Sequence, residues 1–182
     1  MKSRLFVSLD IPDQVVNKII DYRDSIGFNP DMRWESKEKH HLTLKFIGDV
    51  ENNLIEEIAH EIKFVEDFNS IECSFLNFGF FFRNNQPSIL WAGLKTDESL
   101  TKLIEILEKN LIKFSIPVEI KKFKPHITLL RLKKDPGNDF VNRFKNFTFK
   151  PVEFSAKTIT LFKSELYPEG SKYIKIKNYK LK

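Results

Sequence analysis

The sequence predicts an α+β fold with mainly antiparallel sheets, laid out as two halves on one plan, roughly residues 1–85 and 86–182. Three observations carry that expectation. The tetrapeptide His41-Leu42-Thr43-Leu44 returns as His126-Ile127-Thr128-Leu129, and the same displacement carries Leu5-Phe6-Val7-Ser8-Leu9 onto Leu90-Trp91-Ala92-Gly93-Leu94. Each of those apolar runs is followed by a helical pattern. Few tight two-residue hairpin signals occur, so helices or longer loops are expected to join most strands.

In the first half, Leu5 to Leu9 reads as a strand. Pro12 suits the first position of a helix, where its missing N–H costs no hydrogen bond. Val15, Val16, Ile19, Ile20 and Arg23 follow at helical spacing, and Gly27 marks a stop. The strand bearing His41 comes next. Leu54, Ile55, Ile58, Ile62 and Val65 then mark an amphipathic helix, and Ile71 to Phe82 is strand-like. Asn84-Asn85-Gln86-Pro87 signals a turn. In the second half, Thr96 or Asp97 can cap a helix with Leu100, Leu103, Ile104, Leu107 and Leu111 on one stripe, limited by Pro117. After the strand bearing His126, Lys134-Asp135-Pro136-Gly137-Asn138 reads as a loop, and a shorter helical pattern covers Asp139 to Lys145. Strand-like runs from Val152 to Leu166 and from Lys172 to Lys177 close the chain. No flexible linker separates the halves, so residues 1–182 are expected to form a single two-lobed domain. Whether each half is also one lobe stays open, because strands can cross between lobes.

The 182 residues are 41% hydrophobic and 30% charged, the composition of a globular chain with a substantial core, and 18 Phe mean that aromatic rings fill much of it. No stretch approaches the ~20 apolar residues of a membrane span. The apolar run after Lys2 and Arg4 ends at Leu9, short of the roughly 7–15 residues of a signal peptide core. Cys73 is the one cysteine, which excludes an intramolecular disulfide and a cysteine-rich metal site. A cytoplasmic location without membrane contact is expected, and no obligate protein partner is readable. The net charge of +5 and pI near 9.1 favour anionic partners, nucleic acid first. Part of that charge is the tail Lys172 to Lys182, where lysine can equally serve to keep a final strand soluble.

Successive side chains on a strand point to opposite faces. His41 and Thr43 therefore project together while Leu42 and Leu44 enter a core, and His126 and Thr128 do the same against Ile127 and Leu129. If the halves pack as a pair, two imidazoles and two hydroxyls line one cleft. That set suits attack at phosphorus. One ring, neutral near its usual pKa of about 6.5, takes a proton from water, and the other, protonated, gives one to the leaving oxygen. In-line displacement places attacking and leaving oxygens on opposite sides of phosphorus, so acid and base belong on opposite walls. The threonine hydroxyls can donate to the non-bridging oxygens, where charge accumulates. A lone histidine flanked by leucines is ordinarily a packed core residue, but packing has no reason to repeat both a histidine and a threonine. His40 alternates away from His41 and is matched by Pro125, and His60 lies off its helix's apolar stripe; neither is a candidate.

These motifs and their flanks resemble the two-histidine phosphoesterases, and within them the RNA 2′,3′-cyclic phosphodiesterases historically called 2′-5′ RNA ligases (LigT-like). The similarity runs through Arg4 to Leu9, His41-Leu42-Thr43-Leu44-Lys45-Phe46-Ile47-Gly48-Asp49-Val50, Ile89 to Leu94, Phe123 to Arg131, Ile159 to Leu166 and Gly170 to Tyr173. The resemblance implies a bilobal fold, helices outside, with both motifs facing a central cleft. It implies cofactor-free hydrolysis of an RNA-terminal 2′,3′-cyclic phosphate to a 2′-phosphate. His41 would be the general acid toward O3′ and His126 the general base for water, an assignment that the repeat's symmetry cannot make. Thr43 and Thr128 would hold phosphate oxygens, and Arg131 would bind phosphate. The substrate would be an RNA end, whether of tRNA fragments or of small cyclic nucleotides. One departure stands out: Ser88 follows Pro87 where relatives often carry arginine, with Lys45, Arg83 and Lys124 as possible substitutes. The rivals are a phosphate-binding module without turnover, 2′-5′ ligation as the reverse reaction, and zinc on His41 and His126, although no acidic residue is paired with either motif.

Overall fold

The computed structural model describes residues 1–168 and 170–182. They form, in chain order, β1 (Lys2–Asp10), α1 (Asp13–Gly27), β2 (His41–Glu51), α2 (Ile55–Ile62), β3 (Ile71–Arg83), β4 (Gln86–Thr96), α3 (Glu98–Leu111), β5 (His126–Arg131), α4 (Asn138–Lys145), β6 (Val152–Ala156), β7 (Thr158–Tyr167) and β8 (Gly170–Lys180). Two four-stranded sheets result, ordered β2-β1-β7-β8 and β5-β4-β3-β6. Their pairings are antiparallel. Exchanging β1 with β4, β2 with β5, β7 with β3 and β8 with β6 maps one sheet onto the other. The fold is therefore an α+β pseudo-two-fold pair, as expected.

The sequence halves are not the lobes. β3, from the first half, completes the sheet of β4 and β5, while β7 and β8, from the second, complete the sheet of β1 and β2. The helices cross as well. α1 packs beneath the second sheet, with Tyr22 against Phe149 at 4.7 Å and Phe75 at 6.3 Å. α3 lies against β2 and α2. The run from Val152 to Leu166 is two strands rather than one: β6 pairs with β3, Lys157 makes the step, and β7 pairs with β1. Buried Phe154, Ala156, Ile159 and Leu161 keep an apolar pattern through the break, so periodicity shows no seam.

Local chemistry explains the other boundaries. Pro12 is the N-cap of α1, one place earlier than expected, with extended ψ of 137°. Asp97 caps α3, its carboxylate accepting from the Ser99 N–H at 3.0 Å. β3 and β4 meet in a two-residue hairpin, with Asn84 and Asn85 at φ of 51° and 61°. That backbone fits a type I′ turn, which asparagine tolerates better than most residues. The turn falls where Asn84-Asn85-Gln86-Pro87 signalled one, and its tightness was not announced because Asn-Asn lacks the glycine usual in such a turn. β8 also extends three residues beyond the Lys177 expected as its end.

Register is what aims the motifs. Leu42 and Ile127 are fully buried, as is Leu129, and burying each is worth about 1.5–3 kcal/mol. A one-residue slip would turn the histidines inward and the leucines outward. β2 and β5 consequently share the same alternation over their first four residues, half-buried then buried.

Candidate active site

β2 and β5 approach each other as the edge strands of their sheets. Between them lies a cavity of about 590 Å³ whose lining includes His41, Thr43, His126, Thr128 and Arg131. The structure thus brings together the two histidines, the two threonines and the arginine expected at the site.

His41 lies among aromatic rings. Phe6 stacks on it at 5.1 Å, Phe162 at 5.8 Å, and Tyr173 meets it edge-on at 5.5 Å. Its Nδ1 is buried with no hydrogen-bond partner among the described residues. A lone pair without a donor is easier to bury than an N–H without an acceptor, so the neutral ring favours the tautomer with its proton on Nε2. Burial away from water, with His40 beside it, lowers its pKa to about 4. His126 is held differently. Its Nδ1 is 2.7 Å from the Lys124 carbonyl oxygen. A carbonyl only accepts, so Nδ1 carries the proton and Nε2 keeps its lone pair. Burial lowers this pKa too; the Lys124 carbonyl opposes the shift, and the positive charges of Lys124 and Arg131 add to it. Phe81 meets the ring edge-on at 4.8 Å.

The position equivalent to Phe6 holds a larger ring. Phe6 lines the cavity, and its repeat equivalent Trp91 is buried with its indole against Gly79 and Gly93, where an added Cβ would meet it. Lys124 Nζ sits 4.3 Å from the Trp91 ring and 5.3 Å from Phe81. Sequence reasoning named no aromatic residue here. The signal was present in the aromatic second residue of each repeated run.

Several charged groups settle into pairs. Arg131 Nε donates to Glu35 Oε1 at 3.1 Å, and Lys39 Nζ lies 3.3 Å from Glu35 Oε2, so one carboxylate restrains two cations on the cavity wall. Glu35 was missed because it sits in an irregular segment far from β5 in sequence; its N–H donates to the Leu129 carbonyl. Lys45 is no substitute for the arginine missing at Ser88: its ammonium is buried against Glu108 at 2.6 Å. Ser88 itself donates to the Phe81 carbonyl. Arg83 is exposed at the end of β3 and does not line the cavity, whereas Lys124 does. His40 is buried outside the cavity and His60 is exposed. Among the described residues no cluster of three or more His, Cys, Asp or Glu side chains has metal-binding geometry, and no helix is long and apolar enough to cross a membrane.

Comparison with known proteins gives a consistent result. A family model described as LigT like Phosphoesterase matches residues 9–91 and 94–173. The chain is 33% identical over 174 residues to the RNA 2′,3′-cyclic phosphodiesterase of Thermotoga maritima, covering 93% of this chain and 91% of that one. It is 27% identical over 180 residues to the protein of the same name from Methanocaldococcus jannaschii, covering 97% and 99%. Among solved structures, E. coli LigT complexed with 3′-AMP superposes with a TM-score of 0.78 at 22% identity, over 100% of this chain and 99% of that one. TT0787 of Thermus thermophilus gives 0.79 at 22% identity, over 97% of each. At these identities the superpositions speak to the fold.

Proposed function

Since the chain belongs to the LigT-like phosphoesterase family, we propose that it is an RNA 2′,3′-cyclic phosphodiesterase, opening the cyclic phosphate at an RNA end to leave a 2′-phosphate and a free 3′-hydroxyl. The observation that carries this reading is the placing of two imidazoles and two threonines on one cavity. The unlike environments of the imidazoles support unlike roles.

His126, with Nδ1–H on the Lys124 carbonyl, offers a lone pair at Nε2 and takes the proton from water as its oxygen bonds to phosphorus. The P–O3′ bond breaks, and the departing O3′ takes a proton from His41. The phosphate's negative charge, arriving beside His41, favours the protonated ring that its surroundings otherwise disfavour. Thr43 and Thr128 donate to the non-bridging oxygens. Exchange with solvent then returns a proton to His41 and removes one from His126. Arg131 joins the phosphate by loosening its pair with Glu35. No step calls on a metal or cofactor.

Substrates in this reading are RNA ends, with tRNA fragments and small cyclic nucleotides as the two cases to separate. A cytoplasmic setting fits such substrates and the unpaired, buried Cys73. The strand exchange between the sheets supports treating residues 1–182 as one two-lobed domain. The test is incubation with a short RNA ending in a 2′,3′-cyclic phosphate, with and without exhaustive chelation, followed by identification of the product isomer. A 2′-phosphate in both reactions is expected. A 3′-phosphate, or loss of turnover with EDTA that one divalent ion restores, would overturn the mechanism, and no turnover at all would favour a binding module.

A further inference from the structure

Lys45 lies in β2 at a position whose repeat equivalent in β5 is Leu130. Leu130 is buried at 1% exposure and Lys45 at 5%, so a site suited to an apolar side chain holds an ammonium group. Its Nζ is 2.6 Å from Glu108 Oε2 on α3 and donates to the Pro117 carbonyl at 2.6 Å. Glu108 Oε2 also accepts from the Glu119 N–H at 3.4 Å. Glu108 has its own repeat equivalent, Arg23 on α1, whose guanidinium lies over Phe28 at 4.9 Å and Trp34 at 5.0 Å. In each half, then, the same helical position fastens the irregular segment that leads into a motif strand. The first half uses aromatic rings, and the second uses charge supplied from the opposite motif's strand.

We propose that Lys45 and Glu108 are a positioning pair that holds Pro117 to Lys122 as a wall of the cleft, so that Lys121 and Lys122 meet backbone phosphates upstream of the reacting RNA end. This rests on the cleft's use for RNA ends proposed above. The charge distribution selects these two lysines. Lys39 and Arg131 are engaged by Glu35, Lys45 by Glu108, and Lys124 lies over Trp91. Lys121 and Lys122 line the cavity, are exposed, and form no ion pair among the described residues. Their segment belongs to no helix or strand. Its ends are secured by buried Ile116 and by the Leu94 N–H donating to the Pro125 carbonyl at 3.1 Å. Between these ends, the bonds from Lys45 to Pro117 and from Glu119 to Glu108 tie it to the molecule's interior. Without them, RNA would have to order the segment as it bound, and affinity would fall by that cost.

The test uses a cyclic mononucleotide and a short RNA with a cyclic phosphate end. Removing one member of a buried pair strands the other charge, so the clamp is removed as Lys45→Met/Glu108→Met, which keeps side-chain volume and avoids an unpaired charge. KM for the RNA is expected to rise roughly 10-fold while kcat and the mononucleotide KM stay within about twofold, because the bonds removed are charge-assisted and run to Glu108 and Pro117, not to the histidines or threonines. The slope of log KM against log salt should shrink by about 0.7 for each RNA phosphate that is no longer neutralised. Lys121→Ala/Lys122→Ala should raise the RNA KM equally, and combining all four substitutions should add nothing further. Equal shifts for RNA and mononucleotide would overturn the proposal. So would an unchanged RNA KM in Lys121→Ala/Lys122→Ala, a surface variant that tests the wall even if the clamp variant does not fold. Fluorescence anisotropy of the same RNA separates the two levels. A wild-type protein without turnover sinks the functional reading, whereas variants that bind RNA like wild type sink the clamp.

Discussion

His41 and His126 occupy the same place in a repeated tetrapeptide, on edge strands of equivalent sheets, with the same alternation of half-buried and buried neighbours. Burial lowers the proton affinity of both, but the groups that hold each ring differ. His41 is stacked on Phe6 and Phe162 with Nδ1 facing no acceptor, and His126 is pinned through Nδ1 to the Lys124 carbonyl with cations nearby. A repeated motif therefore supplies two identical groups, and the tertiary neighbours give them different tautomers, the difference on which the proposed division into acid and base rests. The Lys124 carbonyl is decisive at His126 because it fixes the tautomer. At His41 the missing acceptor does the same work by a different route, leaving the N–H on the other nitrogen.

Breaking either member should have the largest effect. His41→Ala and His126→Ala are each expected to lower kcat by roughly 100- to 10,000-fold, and a substrate with sulfur in place of O3′ should separate them. Thiolate leaves without a general acid, so His41→Ala should recover much of its rate on that substrate while His126→Ala remains slow. Rescue of His126→Ala alone would reverse the assignment, and rescue of neither would discard it.

The threonines test whether the comparison extends past the rings. Thr43→Ala and Thr128→Ala each remove a donor to a charged oxygen, worth about 1.5–3 kcal/mol, or about 10-fold or more in turnover. Steady-state kinetics on folded variants would check it. Wild-type rates in both would make the threonines packing residues.

The pH dependence sharpens the contrast without mutation. In the folded chain His40 and His41 have pKa values lowered to about 4, and that of His126 is lowered too, each by burial first. The unfolded chain, with histidines near 6.5, binds more protons across that window. Stability should be full above about pH 6.5 and decline as pH falls toward 4, read as a falling urea midpoint. A phosphate analogue should in turn raise the proton affinity of the cleft, so its binding at pH 7 should take up a proton. Calorimetry in buffers of different ionisation enthalpy would measure the uptake, and His41→Ala should abolish most of it.

The smallest expected effect concerns Glu35, which restrains Arg131 and Lys39 beside His126's strand. Glu35→Gln removes one negative charge and frees two cations, so KM for a cyclic phosphate should fall by about twofold to threefold, the scale of a surface ion pair. A rise in KM would mean that Glu35 orients Arg131 instead of competing with substrate for it.

What was legible in the sequence was whatever repeats or alternates. The His-x-Thr strands, the faces their side chains take, the apolar stripes of α1 and α3 and the Asp97 cap all follow from local sterics and burial, which act over a few residues. The change of sheet between β6 and β7 was not legible, because Phe154 to Leu161 keeps its apolar pattern across Lys157. Lys45 read as a phosphate-binding candidate since a charge next to a motif looks free to bind. Only folding brings Glu108, 63 residues later, to within 2.6 Å and turns it inward. The same holds for the histidines. The sequence alone determined that each motif strand would present an imidazole and a hydroxyl on one face, opposite its buried aliphatic residues. Tertiary structure decided how the two imidazoles differ, because a ring's tautomer and proton affinity depend on the acceptors, charges and excluded water around it, and those come from segments that the repeat does not copy.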